Sequence, residues 1–390
     1  MKLNRLLPLL AIWVSGLVTA HADLASLFTN ANHHAAGAMP RRTSIIVIQC
    51  HDLALGDLSC YGQTNYETPN LDRLARNGIR FTQYTGAAES AWTTAALLHG
   101  KTAAAPPGEA NLAQLLRLAG YHTGLIGEWS QPGQPWKLGF DEFVGFLEDA
   151  EGRNYYADYL WRYAPHSIFK QQGEMPTAFE GKEMIYANTG GQKGKYLPDL
   201  FFSAAGNFVR NNEPDFFNHY RPFFLLLNLP APRPARTGAD EFPVPSDAPF
   251  SSEPWPQAAK NRAALISRLD TDLGRLLEQI DKLKLTNNLA VFFTSSSAPA
   301  KFADPKLNFL LPPQDFRSTN QLATPPLPMI AWWPGKIAPG QVSDKAWSAV
   351  DFAPTAVEIG LVNDAPPFAG HSILPVLSER RNEKAKGKTP

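Results

Sequence analysis

Ser90 stands near the start of Ala88-Glu89-Ser90-Ala91-Trp92-Thr93-Thr94-Ala95-Ala96-Leu97-Leu98-His99-Gly100-Lys101, whose Ala/Leu face predicts a helix. A serine at a helix start has two uses. As a cap, its hydroxyl accepts a hydrogen bond from an early backbone N–H. As a nucleophile, it needs a base or a metal to activate it. The cap is the reading favoured from sequence. His51-Asp52 follows an apolar run and sets an imidazole beside a carboxylate. The two read either as a hydrogen-bonded pair at a strand end or as part of a remodelled transition-metal site, since imidazole suits zinc better than calcium. Arg233 could hold an anionic group or pair with Glu128. Trp92, Trp129, Trp136 and Trp161 fall near the same segments, where aromatic faces either stack on sugar rings or pack a core.

The elements that would position these residues follow from periodicity. Ser44–Gln49, Tyr121–Gly127, Pro222–Asn228, Ala290–Thr294 and Pro328–Trp332 are apolar runs of buried-strand length. Thr68-Pro69 predicts a helix start with Thr68 as N-cap, Leu71 and Leu74 inward and Gly78 as its stop. Asn111–Leu118 reads as a second helix. Leu265, Leu269, Leu273, Leu276, Ile280 and Leu283 recur at steps of three and four, the stripe of a long amphipathic helix. Apolar strands alternating with such helices predict an α/β fold, a mostly parallel sheet covered on both faces. Sites in such sheets gather beyond the carboxyl ends of the strands.

Composition bounds the partners. The chain has 390 residues, with Lys+Arg and Asp+Glu equal at 36 each, so no global field favours nucleic acid. Lys2 and Arg5, the apolar run from Leu6 to Val18 and Ala20-His21-Ala22 read as a signal peptide over residues 1–22, cut after Ala22. Its core is too short to span a bilayer. A secreted or periplasmic protein with no integral membrane span after cleavage is expected. Residues 23–43 read as a flexible lead-in, 44–377 as the folded domain and 378–390 as a disordered tail. Pairing of Cys50 with Cys60 is left open.

From Ile45 to Leu377 the chain resembles the sulfatases of the alkaline-phosphatase superfamily. The resemblance rests on Asp52-Leu53-Ala54-Leu55-Gly56-Asp57-Leu58-Ser59-Cys60-Tyr61-Gly62, Thr68-Pro69-Asn70-Leu71-Asp72-Arg73-Leu74-Ala75 and Gly78-Ile79-Arg80-Phe81-Thr82. It rests equally on Gly120–Gly127, Gly139-Phe140-Asp141-Glu142-Phe143 and Trp333-Pro334-Gly335-Lys336-Ile337. It implies an alkaline-phosphatase-like fold, here without the family's smaller C-terminal subdomain. It also implies a formylglycine made from Cys or Ser within Cys/Ser-x-Pro-x-Arg, a calcium ion held by three Asp and one Asn, and Lys, His and Arg around the sulfate. Charge building on the sulfate oxygens must meet such groups.

By that resemblance Ser90 takes the formylglycine position, with Trp92 where the motif has Pro, Thr94 where it has Arg and His99-Gly100-Lys101 for Thr-Gly-Arg. The paired Asp of the metal site becomes His51-Asp52, and Asp-Asn-Gly becomes Ser296-Ser297-Ala298. Gly-Lys-Trp-His reads Gly127-Glu128-Trp129-Ser130, and Ala-Pro-His-x-Pro reads Ala231-Pro232-Arg233-Pro234-Ala235. Arg317 lies near the family's late lysine. The expectation is a secreted sulfatase-like protein that has lost catalysis, has no cofactor and binds a sulfated or acidic glycan. The alternative is a working sulfuric ester hydrolase using Ser90-derived formylglycine, which would bring calcium.

Overall fold

The computed structural model describes residues 42–87, 89–101, 109–164, 179–213, 221–235, 241–298 and 326–379. The signal peptide, nearly all of the lead-in, Arg317 and most of the tail lie outside the described residues. Two positions correct the expected boundaries. Thr43 is buried, with its hydroxyl 3.2 Å from Asn288 Oδ1, and Ser378 closes a short helix, Leu374–Ser378.

Strand β1 (Ser44–Cys50) is buried along its whole length and lies at the centre of an eleven-stranded sheet. The other strands are β2 (Ile79–Thr85), β3 (His122–Glu128), β4 (Glu142–Phe146), β5 (Tyr159–Ala164), β6 (Phe179–Met184), β7 (Phe223–Asn228), β8 (Leu289–Ser295), β9 (Leu327–Trp332), β10 (Gln341–Ser343) and β11 (Trp347–Ser348). Their order is β10-β2-β9-β8-β1-β7-β3-β4-β5-β6, with β11 beside β2. The central run β8-β1-β7-β3-β4 is parallel throughout, while β9, β5 and β6 join antiparallel. The α/β, mostly parallel expectation is met.

Side-chain alternation along β1 divides the core in two. Ile46 and Ile48 face one cluster with Leu225 and Leu227, while Ile45 and Val47 face the other with Phe224 and Leu226. Helices α1 (Pro69–Arg76), α2 (Ser90–His99), α3 (Leu112–Leu118), α4 (Leu197–Asn211), α5 (Gln257–Lys282) and α6 (Phe352–Ile359) cover the sheet. Leu71 of α1, Phe201 of α4 and Leu273 of α5 join the first cluster; Leu97 of α2, Leu115 of α3 and Phe352 of α6 join the second.

Four local expectations need correction. Thr68 does precede α1, but its hydroxyl bonds Ser59 rather than capping the helix. Asn77, not Gly78, closes α1, and Gly78 is instead where a side chain would strike the Ala331 carbonyl. Leu283 lies one residue beyond the end of α5. Asn111, read as the first residue of α3, is instead its cap, through a reciprocal capping box with Gln114.

Candidate active site at the strand carboxyl ends

Because β1, β3, β7 and β8 run parallel, the chain leaves all four on the same edge of the sheet. His51 and Asp52 follow β1, Glu128 ends β3, Arg233 follows β7, and Ser296 and Ser297 follow β8. Strand hydrogen bonding continues into these loops. His51 N donates to Ala231 O at 3.0 Å and Ser296 N donates to Cys50 O at 2.8 Å. Helix α2 begins at the same edge and brings Ser90 to it.

Ser90 is not the cap of α2. Glu89 holds the cap position, no side chain caps the helix, and Ser90 is its first residue. The Ser90 hydroxyl instead meets His51 Nε2 and lies 2.7 Å from Ser296 Oγ. Thr94, one turn on, donates its hydroxyl to Gln49 Oε1 at 2.9 Å, which ties α2 to β1.

His51 and Asp52 are not bonded to one another through their side chains. Asp52 turns away through a left-handed backbone conformation with φ of 60°. Its Oδ1 accepts the Ser297 hydroxyl at 2.7 Å. His51 meets both Ser90 and Arg233 through one ring nitrogen, with Arg233 Nη1 at 3.3 Å from Nε2. A guanidinium only donates, so Nε2 keeps its lone pair and the ring proton is assigned to Nδ1. Burial, and then the Arg233 and Arg153 charges, hold this imidazole well below the usual histidine range, so it is neutral at pH 7.

Arg233 also reaches Glu128: Nη2 lies 3.1 Å from Oε2 and Nη1 3.3 Å from Oε1, with both side chains almost wholly buried. Asn228 Nδ2 donates to the Glu128 carbonyl at 2.8 Å and steadies the end of β3. Of the two readings of Arg233, the ion pair with Glu128 is therefore formed. Ser130 is exposed beyond these groups. Trp129 and Trp136 are core residues, packed on Phe140 and Tyr163, which removes them from the cleft. Trp161 is half-buried against Trp136, whereas Trp92, two residues after Ser90 on α2, is 47% exposed.

The Sulfatase family profile matches residues 43–360, most of the chain. The chain belongs to the sulfatase family. Human N-acetylgalactosamine-6-sulfatase is 27% identical over 383 residues, covering 89% of this chain and 68% of the relative. The N-acetylgalactosamine-6-O-sulfatase of Bacteroides thetaiotaomicron is 27% identical over 416 residues, covering 88% and 78%. A sulfatase structure from Pseudoalteromonas sp. superposes with a TM-score of 0.64 at 20% identity, over 87% of this chain and 72% of that one. A structure holding its substrate D-glucosamine-2-N,6-O-disulfate superposes at 0.61 and 21%, over 90% and 81%. At such identities the structural likeness is one of fold.

The sulfatase resemblance implies calcium, and the residues present do not fit it. Calcium takes six to eight oxygen ligands, with carboxylates carrying most of the charge. Here Asp52 offers one carboxylate beside an imidazole and hydroxyls, and Glu128 is held by Arg233. A guanidinium already lies against His51. Among the described residues, no three His, Cys, Asp or Glu side chains are grouped to hold a metal. Nor do Cys50 and Cys60 pair; both are free.

Sequence reasoning missed Gln49, Asn228 and Arg262. Gln49 and Asn228 are polar residues inside otherwise apolar strands, a visible irregularity. Arg262 is fully buried on the apolar side of α5, three residues before Leu265, and a charge at a stripe position was its signal.

Proposed function

We propose that this sulfatase-family protein no longer hydrolyses sulfate esters by the formylglycine and calcium route, and that its cleft binds a sulfated or acidic glycan. The observation that carries the first part is the Glu128–Arg233 pair, 3.1 Å apart, at the positions where the resemblance implies Lys and His around the sulfate. A carboxylate there repels a sulfate monoester and neutralises the Arg233 guanidinium. The oxidation motif around Ser90 also lacks its Pro and Arg. Removing a single charge-stabilising donor typically costs about 10²–10³ in rate, and several are replaced here.

Glycan binding is supported by different features. Trp92 is an exposed aromatic side chain on the helix that Ser90 begins. Beside the compensated Glu128–Arg233 pair, Arg153 adds a positive potential at His51. Relatives of known activity are named for sulfated N-acetylgalactosamine, and one structural neighbour holds a disulfated glucosamine. Export is supported by the charged start, apolar core and Ala20-His21-Ala22 of the leader. A mature N-terminus at Asp23 is the expected product. No helix among the described residues is long and apolar enough to cross a membrane.

The deciding experiment is mass spectrometry of the peptide spanning Ser90, from protein made in its own host, with metal analysis of the same sample. An unmodified serine and no stoichiometric calcium are expected. Formylglycine at Ser90, or aryl sulfate hydrolysis abolished by Ser90→Ala, would restore the working sulfatase.

A further inference from the structure

We propose that Ser90 is the nucleophile of a metal-free serine hydrolase acting on uncharged carboxylic esters, with His51 as its general base. This chemistry rests on the loss of sulfate hydrolysis, and the reacting ester is an uncharged group that a bound acidic glycan can carry beside its charges. Its basis is the contact between the Ser90 hydroxyl and His51 Nε2. A serine becomes nucleophilic when a base within hydrogen-bond reach can take its proton. The Arg233 donor leaves Nε2 unprotonated, so the serine hydroxyl is a second donor there and shares that nitrogen's one lone pair with the guanidinium. Ser296 Oγ at 2.7 Å holds the hydroxyl from another side, and Thr94 Oγ1 reaches the Ser90 carbonyl at 3.3 Å.

The arrangement is a built site rather than a helix end alone. His51 is more than nine-tenths buried, and its Nδ1 has no hydrogen-bond partner. Burying an imidazole with one nitrogen unsatisfied costs on the order of 1–3 kcal/mol. A fold that tolerates this while aiming the other nitrogen at a serine keeps the ring for what Nε2 does.

Charge selects the substrate class. Sulfate and phosphate monoesters carry their charge over several oxygens and need metal or cationic clamps. Here the nearby guanidinium is compensated by Glu128. A carboxylic ester develops a single oxyanion, which the first-turn N–H groups of α2, starting beside Ser90, can receive at the positive end of the helix. Glu128 Oε1 lies 4.0 Å from Nε2, so it offsets Arg233 when His51 becomes transiently cationic.

The reaction balances without an external reagent other than water. Ser90 Oγ bonds to the carbonyl carbon while its proton moves to Nε2. Collapse breaks the bond to the alcohol oxygen, which leaves with that proton. Water then adds to the acyl-serine, giving its proton to Nε2. The carbon–Oγ bond breaks, the proton returns to Oγ, and a carboxylic acid departs.

The test uses the full chain in EDTA with a fluorophosphonate probe and peptide mapping. One adduct on Ser90 is expected, absent from heat-denatured protein and slowed at least ~100-fold by His51→Gln, the scale of general-base loss. Should His51→Gln fold poorly, Ser90→Cys supplies a second reading. Its thiol should react with iodoacetamide at least ~10-fold faster than a free cysteine thiol at the same pH, because a base within reach raises the thiolate fraction. No adduct on an unmodified, folded Ser90, or equal labelling in folded His51→Gln, overturns the proposal and leaves the loss of sulfate chemistry standing. Formylglycine at Ser90 overturns both.

Discussion

Glu128 Oε2, at the end of β3, and Arg233 Nη2, in the loop after β7, lie 3.1 Å apart, each side chain no more than 7% exposed. Two substitutions that would each be costly alone have become one neutral pair. Removing one partner of a buried pair strands the other charge and costs about 3–5 kcal/mol. Glu128→Gln should therefore lower the urea midpoint strongly, and Glu128→Lys, which sets two cations together, should lower it further. The double variant Glu128→Lys/Arg233→His should be more stable than the sum of its single variants by roughly 0.5–3 kcal/mol. Additive losses would mean that the two side chains are not coupled.

Arg262 joins the loops that carry the site. Its Nη2 lies 2.7 Å from Asp57 Oδ2 and 2.9 Å from the Asp52 carbonyl, and its Nη1 lies 3.0 Å from the Pro232 carbonyl. Arg262→Met should cost about 3–5 kcal/mol by leaving Asp57 buried without its cation. It should also speed amide hydrogen exchange in residues 51–54 and 231–233 beyond the global change, because both loops lose a shared anchor. Exchange that rises uniformly across the chain would show that Arg262 acts on stability alone.

The fold was legible because the central strands are apolar for their whole length. Ser44–Cys50 and Phe223–Asn228 can be buried only in the middle of a covered sheet, and α5 shows its stripe over many turns. The edge was harder to read. Strand β6 is largely exposed and carries Lys182 and Glu183, so nothing in its pattern separates it from a loop. Helix α4 was overlooked although Phe201, Ala205 and Phe208 mark its buried face. At the site, positions were readable and, apart from the Arg233–Glu128 pair, partners were not. The resemblance located Ser90, His51, Glu128 and Arg233, but whether a hydroxyl turns back to its own helix or out to an imidazole depends on how two loops distant in sequence approach. Arg262 was hidden for the same reason, since its partners are carbonyls, which leave no mark in a residue pattern.

Gly127 sits next to Glu128 where only glycine fits. Its φ is +110°, and a Cβ there would lie 1.9 Å from the Asn228 carbonyl oxygen. Gly127→Ala should cost more than about 3 kcal/mol, combining left-handed backbone strain with a clash against a fixed strand. Gly190 also has positive φ, +71°, but nothing within 4 Å. Gly190→Ala should cost only about 1–2 kcal/mol. Chemical denaturation of the two variants side by side separates strain from collision. Equal costs would remove the close approach of β3 and β7 as the reason for glycine.

Asp272 on α5 gives the stability a pH dependence of known sign. Burial, followed by the Asp199 charge, raises its carboxyl to about 6, against the opposing pull of Arg275 and Arg268. Arg275 Nη1 is 2.6 Å from Oδ1, yet that arginine is largely exposed and compensates little. An unfolded aspartate titrates near 3.9. Between about pH 4 and 6 the folded chain therefore holds a proton that the unfolded chain has released, so this group's contribution to stability falls as pH rises through that window. Above it the penalty of a buried carboxylate is complete. Asp272→Asn removes the charge without changing the shape, so it should raise the melting temperature at pH 8, on the order of 2 °C. The gain should shrink at pH 5 and vanish near pH 4. Thermal melts of both proteins at these three pH values check it, and a pH-independent difference would place the effect in packing rather than in ionisation.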